Sequence, residues 1–530
     1  MSRRTIGVIS LVFFLLAGPL TLRPQTPPAQ PTQEQTLSLT LQECILRALK
    51  NNYSLAVQVM NPELSDIAVA LAQEKFIPSL SFSFNRRDTA QASYSWLDAG
   101  DITKQLSDVY SAQLTQQIPF GGNLTLSLSE NKNDTNSRFQ TINPRYGTTL
   151  NLSFTQPLLR DFGLRVSQQQ IIVAQNNYQI SENQFAKFVQ DFVYQVEQSY
   201  WNLVFATENL KVLQQSLDLA RELLEKNRRS VEVGTLAPIE VLNAQADVAS
   251  READILDAQV LVKNTEDILK AVINLEADTP QAGQLRLLPG DKPAFEKAEA
   301  DLNQSMATAL ASRPDLAASQ IDIQNKEFNL TYARNQLLPD LSLTAQYWSP
   351  GVSGTQILYQ DNNPLLGVII GTLPGNVSQA LKDTFGLKYR NWSVGLTLSV
   401  PLNTIFFRAY AAQAKVSLDQ ALANLKTQEQ QLGLDVRSAV RGVQTNYMRV
   451  EAYRLAKELA HKRLQAEEEK LRVGLSTNYF VLQYQRDLAT QQSMELKALI
   501  DYNLSLAKLA QVTGVSLKNK NISLSEIRTR

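Results

Sequence analysis

The chain is written twice. Ala48-Leu49-Lys50-Asn51-Asn52-Tyr53-Ser54-Leu55-Ala56 matches Ala309-Leu310-Ala311-Ser312-Arg313-Pro314-Asp315-Leu316-Ala317, 261 residues on. The same offset carries Ala72 to Ala333, Pro78 to Pro339, Leu80 to Leu341 and Ser81 to Ser342. Gln156-Pro157-Leu158 then matches Val400-Pro401-Leu402 at an offset of 244. Val233-Gly234 matches Val473-Gly474 at 240, with Ala220 on Ala460, Leu242 on Leu482 and Asp247 on Asp487. The matches keep their order. A solenoid repeats every 20–50 residues or so, so a period this long implies one pseudo-twofold protomer. Each copy reads as short helices, an extended segment, then a very long helical hairpin.

The short helices come first. Helical patterns cover 40–52 and 62–76, the second with Asn61 as N-cap and Pro62 at the first helical position. Their counterparts are 302–312 and 316–337. Pro78 and Pro339 end them, and the period changes from helical to alternating. Leu80, Phe82 and Phe84 alternate with Ser81, Ser83 and Asn85; Leu124, Leu126 and Leu128 with Thr125, Ser127 and Ser129. Leu150, Leu152 and Phe154 do the same, as do Leu341 and Leu343 and the run Trp392, Val394, Leu396, Leu398, Val400. One face is apolar and the other polar but almost uncharged. Strands of about ten residues suffice to cross a bilayer when tilted. Tyr110, Tyr146, Tyr347, Tyr389 and Trp392 fall where interfacial aromatic girdles belong.

The first copy is expected to hold four strands, 79–90, 109–120, 123–133 and 146–156, with a tight turn at Gly121-Gly122 and longer loops at 91–108 and 134–145. The second is expected to hold two, 340–348 and 389–400, around a Gly/Pro/Asn-rich loop 349–388. Even the smallest closed barrels use about eight strands. A barrel must therefore be assembled from several chains.

The remainder is helix. Residues 166–233 contain neither Pro nor Gly and carry a 3-4 stripe: Leu210, Leu213, Leu217, Ala220, Leu224, Val231. The return helix 238–274 continues it with Ile239, Leu242, Ala246, Ala249, Ala253, Leu256 and Val260. At 1.5 Å per residue such a rod is about 100 Å long, too long for a globular core and suited to side-by-side coiled-coil packing. The second copy repeats it at 407–473 and 477–513.

Composition narrows the function. Lys plus Arg and Asp plus Glu are both 51, and no basic block argues for nucleic acid. Mean hydropathy is −0.21, which excludes a polytopic helical membrane protein. The single cysteine, Cys44, and single histidine, His461, exclude a disulfide framework, Cys-based zinc sites and HExxH. No nucleophile elbow, phosphate loop or metal cluster is present, so no enzyme activity, metal or cofactor is expected. Residues 1–22 carry Arg3, Arg4 and an apolar run and read as a signal peptide; a membrane anchor is the alternative, and Gly18-Pro19 interrupts it. Residues 23–38 form a Pro/Gln-rich linker, 39–277 the first repeat with its hairpin at 164–274, and 278–301 an inter-repeat linker. The second repeat spans 302–515, with strands in 340–400 and a hairpin at 405–513; 516–530 is a tail.

Together, Ala48–Leu55 and its copy Arg313-Pro314-Asp315-Leu316, Pro78-Ser79-Leu80-Ser81, Pro339-Asp340-Leu341-Ser342, Gln156-Pro157-Leu158-Leu159-Arg160, Val233-Gly234 and Arg472-Val473-Gly474-Leu475 resemble the TolC-like outer membrane factors of Gram-negative exporters. The resemblance covers about 40–515. It implies an α+β membrane protein: a homotrimeric outer-membrane β-barrel continuous with a long α-helical barrel of coiled-coil hairpins crossing the periplasm. It also implies a passive exit duct of a tripartite efflux pump or type I secretion system. The partners would be a periplasmic membrane-fusion adaptor, an inner-membrane RND or ABC transporter and outer-membrane lipid.

Under that resemblance the hairpin tips Val233, Gly234, Thr235, Val473, Gly474, Leu475 and Ser476 would dock the adaptor. The family's gate acid six residues past the tip glycine is present as Glu240, but Phe480 holds that position in the second copy. The family's tyrosine and arginine partners fall on Leu471 and Ser476. The expectation is a more hydrophobic gate, with Glu240 pairing with Arg472. Glu240 otherwise reads as a solvated helix residue; Asp247 and Asp487 read either as lining a lumen or, in preference, as helix-surface ion pairs of little weight. The usual protomer of the family gives four strands, and the hairpin 109–133 is additional. Either the trimer closes 18 strands rather than 12, or this segment lies outside the wall; the clean alternation favours the larger count. The rival to a duct is a non-channel periplasmic or cell-surface coiled-coil scaffold or adhesin.

Overall fold

A computed structural model of the chain describes residues 36–93, 100–137, 140–278 and 285–528. The segment 1–22 and most of the linker that follows lie outside them. Strand β1 (Thr36–Leu39) and helices α1 (Leu41–Asn51) and α2 (Tyr53–Gln73) lead into β2 (Ser79–Ala92), β3 (Ile102–Gln117), β4 (Asn123–Thr135) and β5 (Ile142–Pro157). One helical turn, α3 (Leu164–Ser167), precedes the shaft α4 (Gln169–Glu232), and α5 (Ile239–Ile273) returns along it. After α6 (Leu275–Asp278) and β6 (Arg286–Pro289) the plan repeats with α7 (Leu302–Ser312), α8 (Pro314–Asn335), β7 (Asp340–Tyr359), β8 (Ile369–Leu373), α9 (Val377–Phe385) and β9 (Asn391–Ser399). A second shaft, α10 (Ile405–Arg472), and its return α11 (Asn478–Val512) follow, then α12 (Ser516–Asn519) and α13 (Leu524–Arg528).

Thr40 starts α1 with a capping box: its Oγ1 accepts from the Glu43 N–H while the Glu43 carboxylate accepts from the Thr40 N–H. The second helix differs from expectation. It starts at Tyr53, capped by Asn52, whose side chain accepts from the Leu55 N–H, and it runs on through Pro62. Pro62 is buried inside this helix, where its ring removes one backbone hydrogen bond.

The sheet is antiparallel in the order β2-β3-β4-β5-β7; the far edge of β7 carries β9 beside Asp340–Trp348 and β8 beside Gln356–Tyr359. Its register aligns Leu80, Leu114, Leu126, Leu152, Tyr347 and Trp392 in one row on one face. The neighbouring row, on the opposite face, is Ser79, Thr115, Thr125, Ser153, Gln346 and Ser393. An apolar band and a polar face thus run unbroken through all six long strands, the hairpin β3–β4 included. The strands reach further outward than the alternation showed: β3 begins at Ile102, β5 at Ile142, and β7 continues to Tyr359. The expected loop 349–388 holds β8 and α9 as well. Helix α9 lies on the apolar side of β5 and β7, with Thr384 and Thr148 hydroxyls 2.5 Å apart. It fits flush because a Cβ on Gly351 would collide with the Ala380 carbonyl.

Below the sheet, α2, α4, α8 and α10 stand side by side in that order; nearer the tips the order is α5, α4, α11, α10. Both linkers are partly structured. Thr36–Leu39 and Arg286–Pro289 pair in parallel, burying Leu39 and Leu287 in the core around α1 and α4. The C-terminal tail is also part of that core: Leu517 is buried, Ile522, Leu524 and Ile527 pack against it, and Lys520 pairs with Glu197 at 2.9 Å. Burial pushes the Glu197 carboxyl up against the pull of Lys520.

Candidate functional site

Each shaft ends in the same way. The Thr235 N–H donates to the Ser230 carbonyl at 2.9 Å and the Gly234 N–H to Val231 at 2.9 Å. In the second copy Leu475 donates to Lys470 at 2.8 Å and Gly474 to Leu471 at 3.1 Å. This is a Schellman turn. It requires a left-handed residue, and Gly234 and Gly474 both sit at φ +79°. Space around both is open, so the backbone alone demands glycine. Val233, Gly234, Thr235, Val473, Gly474 and Leu475 are exposed, while Ser476 is partly buried. The Ser476 hydroxyl donates to Glu467 at 2.6 Å and Lys470 pairs with it at 3.0 Å. These bonds hold the Glu467 carboxyl below its ordinary range.

Phe480 belongs to an aromatic group at the second tip. It meets Tyr479 edge-on at 5.6 Å and stacks on Tyr484 at 6.4 Å. Arg463 covers the Tyr484 ring at 4.2 Å and donates to its hydroxyl at 2.9 Å. The expected Glu240–Arg472 pair does not form within a subunit. Arg472 binds Glu469 at 2.6 Å, one turn back on its own helix, where the geometry is already given. Glu240 forms no salt bridge among the described residues, and one of its carboxylate oxygens is buried without a partner.

A stronger ionic site lies further up the hairpins. Arg251 is 4 % exposed and spends its donors on three helices. It reaches Asp247 on α5 at 2.7 Å, the Ser216 carbonyl and hydroxyl on α4 at 2.6 and 2.8 Å, and the Leu482 carbonyl on α11 at 3.1 Å. Arg486 of α11 binds the other oxygen of Asp247 at 2.5 Å. Burial lowers the Arg251 pKa against the pull of Asp247. Asp247 is therefore the centre of a buried clamp between the two hairpins, not a surface pair. Asp487, its counterpart, makes no ion pair among the described residues. Sequence reasoning missed Arg251; its signal was the arginine on the stripe Ala244, Val248, Ile255, Ala258 and Val262, which is the face that α5 buries.

Both flanks of the chain expose apolar stripes. Along α2, Val57, Met60, Leu64, Ile67 and Leu71 keep 3-4 spacing, and each is more than half exposed. On α5 the exposed stripe includes Ile239, Leu242, Leu256 and Val260. On the opposite flank α10 shows Met448, Leu455 and Leu459. The edge strands agree: β2 and β9 are exposed almost throughout, and β2 shares its flank with α2 and α5 while β9 shares its flank with α10.

Residues 122–275 and 306–515 match the sequence model of the family described as "Outer membrane efflux protein". The chain belongs to that family. This outer membrane efflux protein is 24 % identical over 402 residues to the outer membrane protein TolC of Vibrio cholerae, covering 74 % of this chain and 81 % of that one. It is 23 % identical to the outer membrane efflux protein BepC of Brucella suis over 91 % of its own length and 87 % of the relative's. Its fold is that of the Campylobacter jejuni outer membrane channel CmeC, with a TM-score of 0.62, 16 % identity, and 92 % and 90 % of the two chains covered. The efflux protein is thus a channel-family protein of the outer membrane that extends into the periplasm, and not an enzyme.

Proposed function

We propose that three copies join flank to flank into one conduit that carries cargo from the periplasmic tips out through the membrane, as the exit duct of a tripartite efflux pump or a type I secretion system. The observation that carries this reading is the exposed apolar stripe and open edge strand on each of two opposite flanks. A head-to-tail contact between unlike surfaces generates a ring when its rotation closes, and α2, α5 and β2 would meet α10 and β9 of the next copy. In this reading the conduit is passive, and a partner supplies the energy. Its tips offer apolar side chains on rigid turns, Val233, Val473 and Leu475, suited to docking an adaptor that draws the hairpins apart. The clamp at Arg251 ties both hairpins of a subunit, so opening moves each subunit's tip as one body against its neighbours.

The test is sedimentation in mild detergent together with current through a planar lipid bilayer. A trimer that conducts is expected. A lone subunit with no conductance would overturn the duct and favour the scaffold.

A further inference from the structure

The internal duplication fixes how one subunit's sheet should join the next. Within the chain, the last strand of the first copy, β5, pairs with the first strand of the second, β7, and Phe154 lies opposite Ala345. Among the described residues, the long strands left with an open edge are the last strand of the second copy, β9, and the first strand of the first, β2; the five-residue β8 above β9 also has a free outer edge. Strands β9 and β2 are the duplicates of the pair already formed. Carrying β5 forward by its offset of 244 and β7 back by 261 turns Phe154 opposite Ala345 into Leu398 opposite Phe84.

We propose that β9 of each subunit pairs with β2 of the next in this one register, Leu398 opposite Phe84 and Ser399 opposite Ser83, closing an eighteen-stranded barrel. The proposal rests on the trimeric reading above and adds the seam, the register and the strand count.

Two features of the sheet support it. First, the register respects the faces. Leu398 and Phe84 both belong to the apolar side, and Ser399 and Ser83 to the polar side. A slip of one residue would set every side chain of the seam against the wrong face. Second, the closure is geometrically sound. Following paired residues from β2 through β9 and across the seam returns to β2 ten residues further along. With about 3.3 Å per residue and about 4.8 Å between strands, that advance tilts the strands by about 49°, near the roughly 45° of membrane strands. Eighteen strands at that tilt close at about 42 Å between opposite backbones. Barrels of about 16–18 strands leave an aqueous channel rather than a side-chain-filled interior.

The experiment uses paired cysteines in the full chain. Cys44 can stay in place, because it is fully buried. Ser83→Cys with Ser399→Cys, oxidised in detergent, should give covalent trimers on a denaturing gel. Ser83→Cys with Thr397→Cys, two residues out of register on the same face, should stay uncrosslinked. A three-dimensional map of the same particle should show eighteen strands in the wall. The proposal is overturned if the out-of-register pair links as completely, if neither pair links although the variants sediment as trimers, or if the map shows β3 and β4 outside a twelve-stranded wall. Variants that sediment as single subunits while wild type does likewise would instead overturn the trimer on which it rests.

Discussion

Arg251 and Arg486 both reach Asp247, yet their environments differ. Arg251 is buried with every partner satisfied, whereas the side chain of Arg486 is about half exposed. Removing one partner of a buried pair costs about 3–5 kcal/mol, while an exposed one is worth about 0–1 kcal/mol. Arg251→Met should therefore lower the thermal midpoint, followed by circular dichroism in detergent, far more than Arg486→Ala. Glu467 gives a pH signature. Its carboxyl is held down by Ser476 and Lys470, so the bonds are intact at neutral pH and are lost as pH falls through its lowered folded-state value. A spin label at position 475 should gain mobility on acidification, and Glu467→Gln should abolish most of that pH response. Cys44 titrates in the other direction: burial raises its thiol to about 12. It should resist maleimide at pH 8 until the protein is denatured. Single residues of this kind were the least legible in the sequence. An arginine within a polar helix looks solvated until the third helix that covers it is known, and Leu482, which supplies the covering carbonyl, is 231 residues away.

Elements were legible wherever one period dominated. The band of alternating residues gave six strands because lipid and water impose opposite demands on the two faces. Beyond the band that contrast vanishes. In 102–108 Lys104 and Asp108 share a face with Ile102 and Leu106, and 349–359 contains Pro350, Gly351 and Gly354, so strand there read as loop. The return helix α5 misled for a related reason. Its stripe Ile239, Leu242, Leu256, Val260 faces outward, and a second stripe through Ala244, Val248 and Ile255 packs on α4. A helix wedged between two neighbours needs two seams, and in the proposed trimer the more apolar one would face the next copy. The same holds for α2. Leu64→Asp combined with Ile67→Lys should leave the subunit's helical content unchanged and eliminate the trimer in sedimentation. Retained trimers would show that this stripe faces something else.

At the scale of the whole molecule, the two copies are joined near the middle by segments that carry little sequence pattern. The β1–β6 ribbon and the C-terminal helices close over α1 and α4 and complete one core. Deleting residues from 516 onward would uncover Leu517's neighbours and leave Glu197 buried without Lys520. A loss of several kcal/mol is expected, about 3–5 from the orphaned charge alone, seen as a lowered thermal midpoint and loss of assembled particles.

The shaft α4 has one further consequence. It runs 64 residues without a proline or glycine, so it has nowhere to double back. A newly made subunit cannot hide its greasy seams by collapsing upon itself, as an ordinary domain would. Under the trimer proposed above, shelter comes only from its siblings, which would tie the protein's biogenesis to the moment when three of them meet.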